Sequence, residues 1–217
     1  MENLAGALVA ALDGDEAVVS HVWLLSLTRD ASSRVLIGNE VTEADPDIVV
    51  VMMGVWELEA IGDDLMAPGW QARYTSDVLE PFVTSVTRDG AEVLFVGMPA
   101  LDDPVTTSKL DVMTRAYEDL AAGDDRVSFL DAGDYVDDPA GRFALALPGV
   151  DGAPAPVRNP DGLHICPAGV VRVVEPVLDQ IESRWPVPLG TDWQRGSWAL
   201  PGVGGPMSEG FVGCPPG

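Results

Sequence analysis

Residues 47–54 read DIVVVMMG and residues 92–97 read EVLFVG. Both runs are apolar on consecutive rather than alternate positions. A strand of that kind has to be covered on both faces, which is the situation inside a parallel sheet with helices on either side. Residues 126–130 (RVSFL) predict a further strand that ends at Asp131. Residues 17–27, with His21 among them, are apolar and β-branched enough for another.

Helical periodicity separates these runs. Tyr74, Val78, Phe82 and Val86 form one face with Leu79 and Val83 beside it, and Pro81 predicts a kink or a shortened helix. Leu110, Met113, Tyr117 and Leu120 form a second face, with Ser108 expected as N-cap and Asp111 three residues on. Residues 3–12 predict a helix with Leu4, Leu8 and Leu12 on one side. Pro167 predicts the start of the last helix, at a position where a missing N–H costs nothing. Val170, Val174, Val177, Leu178, Ile181 and Trp185 would be its buried face. Residues 28–43 are polar and fit helix and loop equally. Residues 54–69 and 98–107 read as loops, and 131–160 as a long connection in which 143–147 form a short hairpin arm.

Strands alternating with helices at this spacing predict an α/β fold, a three-layer α/β/α sandwich around a central parallel sheet. Functional loops in such sheets lie beyond the carboxyl ends of the strands. The loops after Met53, Gly97 and Leu130 are therefore expected on one edge, beside a turn at Asp161–His164. One domain over residues 1–185 suits the length. Residues 186–217 change character, rich in Gly and Pro and carrying Trp193 and Trp198, and are expected to lie over the domain as a tail.

The net charge of −23, from 12 basic and 35 acidic residues, argues against nucleic acid and anionic membrane surfaces, since both need basic patches. The longest apolar run, 48–56, is broken by Gly54 and too short to span a bilayer. No basic stretch marks a signal peptide at the N-terminus. Two cysteines, Cys166 and Cys214, leave one disulfide and two thiols equally open. A disulfide would pin the tail near the Asp161–His164 turn and would suit an oxidising compartment. The Asp-rich loops have no calcium-loop spacing, and no Cys/His cluster completes a metal site, so no metal and no cofactor is expected.

The chemistry concentrates at Arg158-Asn159-Pro160-Asp161-Gly162-Leu163-His164, followed by Pro167-Ala168-Gly169. An aspartate three residues before a histidine, across a glycine turn, can orient the imidazole as general base for a hydroxyl nucleophile. This block closely resembles the last block of SGNH (GDSL-type) hydrolases, where an Asp-x-x-His pair precedes the C-terminal helix. Residues 46–54 resemble that family's strand before its Gly-x-Asn-Asp block, and residues 92–99 the strand that follows. The form Arg-x-x-Asp-Gly-x-His is similar to SGNH-like domains attached to bacterial membrane acyltransferases that O-acylate cell-surface glycans.

The resemblance covers residues 1–185. It implies His164 as base and Asp161 as its orienting acid, and a small-molecule or glycan acyl ester as substrate. It also implies association with a membrane acyltransferase and an extracytoplasmic or cell-envelope location for the full-length protein. Gly54, Trp56, Glu57 and Arg158 would line the site, Arg158 chiefly by holding the turn.

Three departures stand out. Gly54-Val55-Trp56-Glu57 occupies the place of Gly-x-Asn-Asp, so the usual asparagine donor to an oxyanion is replaced by an indole N–H. Gly38-Asn39 is the sole candidate for the family's second oxyanion glycine. The Gly-Asp-Ser block is absent, and Ser20, Ser32, Ser33 and Ser108 stand in no comparable context. The expectation is that Met1 is an internal methionine, with the first strand and the nucleophilic serine upstream. The chain as written would then be inactive and its sheet would have lost a central member. The competing expectation is a non-catalytic SGNH-like domain that binds glycan or protein. A nucleotide-binding α/β domain is disfavoured because no Gly-rich phosphate loop follows any strand.

Overall fold

The computed structural model describes residues 2–12, 26–28, 31–200 and 211–214. The strand expected at 17–27, including His21, lies almost wholly outside them; its last residues, Ser26 and Leu27, are not in a strand. The fold is α/β, with a parallel three-stranded sheet flanked by helices, as in three-layer α/β/α folds. Two units divide the chain. One takes in Val22–Met98 and Pro104–Asp131, the other Met1–His21, Pro99–Asp103 and Ala132–Gly217.

The first unit holds the sheet. Its strands are β1 (Ile48–Val51), β2 (Glu92–Gly97) and β3 (Val127–Asp131). They lie in the order β1-β2-β3, all parallel, with Val50 opposite Leu94 and Phe95 opposite Phe129. Val93, Leu94, Phe95 and Val96 are all fully buried, which is why β2 lacks polar alternation. Helices α2 (Ala31–Ala44), α5 (Glu80–Val86) and α6 (Pro104–Gly123) belong here; α5 and α6 pack on β2, α6 also on β3, and α2 on α5. Phe95 stacks on Tyr117 of α6 with ring centroids 4.7 Å apart and meets Phe82 of α5 at 6.4 Å.

Pro81 has the effect its ring dictates. The chain runs as α4 (Trp70–Tyr74), a π-helical turn over Thr75–Leu79, then α5. Proline removes one N–H and its ring crowds the carbonyl four residues back, and a widened turn relieves both. Tyr74, Val78, Phe82 and Val86 stay buried throughout.

Three expectations are corrected in this unit. Residues 54–69 are not a loop: α3 (Val55–Ile61) starts directly after Gly54, and a 3-10 turn over Gly62–Met66 follows. Ser108 does not cap α6. The helix starts four residues earlier at Pro104, and Ser108 Oγ donates back to the Pro104 carbonyl at 2.9 Å. Gly38 is not placed as an oxyanion donor. It lies inside α2, and a Cβ there would stand 2.7 Å from Ser85 Oγ, so it is a close-packing glycine.

The second unit is built on α1 (Glu2–Leu12) and α8 (Pro167–Arg184), which pack on each other. Leu4, Ala7, Leu8 and Ala11 form the buried stripe of α1. Val170, Val173, Val174, Val177, Leu178 and Ile181 form that of α8. Trp185 is not on that face; it is half-buried at the C-cap with extended backbone.

The connection between Asp131 and Pro160 contains α7 (Gly133–Val136) and an antiparallel ribbon, β4 (Ala146–Pro148) with β5 (Pro154–Pro156). The hairpin thus lies slightly beyond the expected 143–147; Phe143 instead bridges Asp137. Trp193 and Trp198 are buried in short 3-10 turns that pack on α1, and Gly190 N–H donates to the Ala11 carbonyl at 2.7 Å. No helix among the described residues is long and apolar enough to cross a membrane.

Candidate functional site

The segment from Val157 to the start of α8 is a tight hairpin-like turn. Asn159 N–H donates to the His164 carbonyl at 2.9 Å, Gly162 N–H to the Asn159 carbonyl at 3.0 Å, and Cys166 N–H to the Val157 carbonyl at 2.9 Å. Gly162 sits at φ +79°, in the left-handed region that disfavours a side chain. A Cβ there would also lie 2.8 Å from the Asp102 Cβ, and Asp102 N–H donates to the Gly162 carbonyl at 3.2 Å. Gly169, one turn into α8, is equally constrained: a Cβ would stand 2.2 Å from the Val157 carbonyl oxygen.

This turn brings Asp161 and His164 together. Asp161 Oδ1 accepts the backbone N–H groups of Leu163 at 2.8 Å and His164 at 3.0 Å. Its Oδ2 lies 2.6 Å from His164 Nδ1. An ionised carboxylate can only accept, so Nδ1 carries the proton in this pair. Nε2 makes no hydrogen bond among the described residues. The Asp161 and His164 side chains are 41 % and 33 % exposed, so solvent can reach them. Partial burial pushes the Asp161 carboxyl up. Hydrogen bonds from the His164 ring and from the His164 and Leu163 backbone, with the ring's charge, outweigh that and hold its pKa below the ordinary value.

Arg158 sets the turn from beneath. It is 1 % exposed. Its Nη1 donates to the Ala100 carbonyl at 2.6 Å and pairs with Asp137 Oδ1 at 3.3 Å. Nη2 donates to the Leu163 carbonyl at 3.3 Å and Nε to the His164 carbonyl at 3.4 Å. The guanidinium also lies 4.8 Å from the centre of the Phe143 ring. Burial lowers its pKa to about 10, with the Asp137 and Asp161 carboxylates pulling the other way, so it stays charged at neutral pH. Arg158 thus fastens both carbonyls that flank the imidazole's own backbone. Two residues of this site have roles that the sequence does not announce: Asp137, expected in a solvated Asp-rich turn but buried, and Asn159, which stands in the 158–164 block with no role assigned. Asp137 takes Ala100 N–H at 2.8 Å as well as Arg158. Asn159 Oδ1 accepts Asp161 N–H at 3.2 Å.

Cys166, the N-cap residue of α8, forms a disulfide with Cys214. Among the described residues no three His, Cys, Asp or Glu side chains are grouped as a metal ion would need.

Gly54, Trp56 and Glu57 belong to the other unit. Gly54 is the N-cap residue of α3 and its carbonyl accepts Glu57 N–H at 2.9 Å. Trp56 is 49 % exposed on that helix. Glu57 is wholly buried and takes Leu27 N–H at 2.7 Å, Thr28 Oγ1–H at 2.6 Å and Tyr74 O–H at 3.0 Å. Its carboxylate faces the interior and ties the 26–28 segment to α3 and α4.

No curated protein matches the chain. The family described as "Protein of unknown function (DUF459)" matches residues 35–180, more than half of the chain, and spans both Gly54–Glu57 and the Asp161–His164 turn. The chain belongs to the DUF459 family.

Proposed function

We propose that this chain is the body of an SGNH-type ester hydrolase or O-acyltransferase domain, with His164 as general base and Asp161 as its orienting acid. The observation that carries this is the 2.6 Å contact between His164 Nδ1 and Asp161 Oδ2, which leaves Nε2 to take a proton. The nucleophile in this reading is a serine in a Gly-Asp-Ser block N-terminal to Met1. Its Oγ attacks the ester carbonyl while its proton passes to Nε2. The tetrahedral intermediate collapses, the leaving alcohol takes that proton, and the acyl-enzyme then transfers its acyl group to water or to a sugar hydroxyl. Arg158 holds the turn and is not placed to meet substrate. The disulfide supports an oxidising, extracytoplasmic setting, where a cell-envelope glycan ester is an available substrate and a membrane acyltransferase an available partner.

The test is ester cleavage, with p-nitrophenyl acetate and an acetylated glycan, by a chain extended at its N-terminus to include the serine block. Cleavage should fall about 10⁴-fold or more in His164→Ala, as losing the base of a triad does. No cleavage by the extended chain would sink the hydrolytic reading. A second reading, a glycan-binding domain without catalysis, draws on the exposed Trp56 ring and on Glu57 being committed to the interior. Glycan binding lost in Trp56→Ala, without turnover, would favour it.

A further inference from the structure

An aspartate followed by glycine is a step at which a protein chain can rearrange itself, because glycine has no Cβ to shield its nitrogen. Such steps stand at Asp89-Gly90, Asp151-Gly152 and Asp161-Gly162, with a further one at Asp13-Gly14 outside the described residues. In the three described steps the glycine N–H is held alike. It donates to the carbonyl three residues back: Gly90 to Thr87 at 3.1 Å, Gly152 to Gly149 at 2.9 Å and Gly162 to Asn159 at 3.0 Å. All three glycines have positive φ, at +106°, +79° and +79°. The carboxyl groups differ. Asp161 has three hydrogen bonds, two at Oδ1 and one at Oδ2. Asp151 has one, from Ala153 N–H at 3.0 Å. Asp89 is exposed and has none among the described residues. The space differs too. Nothing lies within 4 Å of a Cβ built on Gly90, whereas Asp102 closes on Gly162 at 2.8 Å.

We propose that Asp89 is a site of covalent modification, converting to isoaspartate in the folded protein, and that the hydrogen bonds of the Asp161–His164 turn close the same reaction at Asp161. In this reaction the glycine amide nitrogen attacks the side-chain carboxyl carbon of the preceding aspartate. A C–N bond forms, and the carboxyl OH leaves as water with the amide hydrogen, which gives a cyclic imide. Water then opens the imide at either carbonyl. Opening at the side-chain carbonyl restores aspartate. Opening at the main-chain carbonyl leaves the chain running through Cβ and Cγ, as isoaspartate. Attack requires the carboxyl carbon to swing onto the nitrogen, so each hydrogen bond that pins the carboxyl has to break first. That is three bonds at Asp161, one at Asp151 and none at Asp89. The place of the change is specific. Gly90 leads through buried Ala91 into β2, where Glu92 N–H donates to the Asp47 carbonyl at 2.9 Å. The extra main-chain atom of isoaspartate falls at the entry to the middle strand of the sheet.

The experiment ages the folded protein in neutral buffer made with heavy-oxygen water, so that each opening of an imide leaves one heavy oxygen on the residue. Peptide mass spectrometry follows the label at each step, and electron-transfer fragmentation tells isoaspartate from aspartate. The same chain in urea gives the unrestrained rate of each step. In urea the three steps should take up label at comparable rates. In the folded protein Asp89 should be the fastest, Asp151 intermediate, and Asp161 about tenfold or more below Asp89. Asp89→Glu, whose longer side chain closes the imide far more slowly, should clear the label from its peptide. His164→Ala, which frees Asp161 Oδ2, should raise the Asp161 rate and leave Asp89 as it was. Labelling of Asp161 as fast as Asp89 overturns the proposal, and so does an Asp89 rate in the folded protein about tenfold below its own rate in urea. Label that persists in Asp89→Glu does the same. If His164→Ala unfolds, the order of rates in the unaltered protein decides alone. No substrate is involved, so the modification and the hydrolytic reading fail separately.

Discussion

Glu57 and Asp161 make an instructive pair. Both are carboxylates just past a glycine or proline turn, and both are site candidates in the sequence. Glu57 is fully buried, and backbone and hydroxyl donors from Leu27, Thr28 and Tyr74 fill both oxygens. The phenol that meets it is pushed well above its ordinary pKa, first by burial and then by Tyr117 and Glu57, so Tyr74 remains a donor. Asp161 spends one oxygen on the N–H groups of its own turn and offers the other to a partly exposed imidazole. A carboxylate surrounded by fixed donors in a dry interior is scaffold. One that accepts a hydrogen bond from a partly exposed imidazole has the arrangement the proposed function calls for.

Perturbing the supports under each carboxylate is the sharpest way to break that contrast. Arg158→Met should have the largest effect. It takes the guanidinium charge from the buried Asp137 carboxylate and a donor from the Ala100 and Leu163 carbonyls, and removing one partner of a buried pair costs about 3–5 kcal/mol. Urea unfolding reads this directly, and a loss below about 1 kcal/mol would remove the buried hub from the account. Glu57→Ala comes next, at about 2–4 kcal/mol, because at least Leu27 N–H and Tyr74 O–H lose a buried acceptor. By the same measurement Asp161→Ala should cost about 1 kcal/mol, since its donors can turn to water. Equal losses at the two carboxylates would erase the distinction.

The smallest effect is on pH. The Asp161 pKa is depressed in the folded protein, so its contribution is present above the unfolded value near 3.8 and is lost as pH falls through the folded value. A carbon-detected titration of Asp161 should therefore give a midpoint below 3.8. It should rise in His164→Ala, where the main opposing hydrogen bond is gone. A midpoint unaffected by His164 would mean that the pair is not coupled.

Much of this molecule is legible in one dimension. The β2 strand appears with the limits its apolar run predicts, because burial on both faces leaves no ambiguity of period. The Asp161–His164 contact was readable because it spans three residues and a glycine. Pro104 shows a rule applied unevenly: proline opens α6 just as Pro167 opens α8, yet Ser108 looked like the better cap. The α3 helix hid behind flanking Gly, Asp and Pro, although VWELEAI contains good helix formers. What could not be read is what depends on distant partners. Arg158 reaches Ala100, 58 residues away, and Asn159 reaches Val212, 53 away. No local pattern carries such pairings.

The Cys166–Cys214 bond also acts where no turn and no pair exists. It closes a loop across 48 positions of the sequence, taking in all of α8 and both buried tail tryptophans. In a chain-entropy picture, closing a loop of that length removes conformations from the denatured ensemble worth about 4 kcal/mol. That is comparable to the whole stability margin of many domains. The covalent link therefore narrows the set of disordered chains from which the protein must fold, and two thiols would return that freedom to the unfolded state.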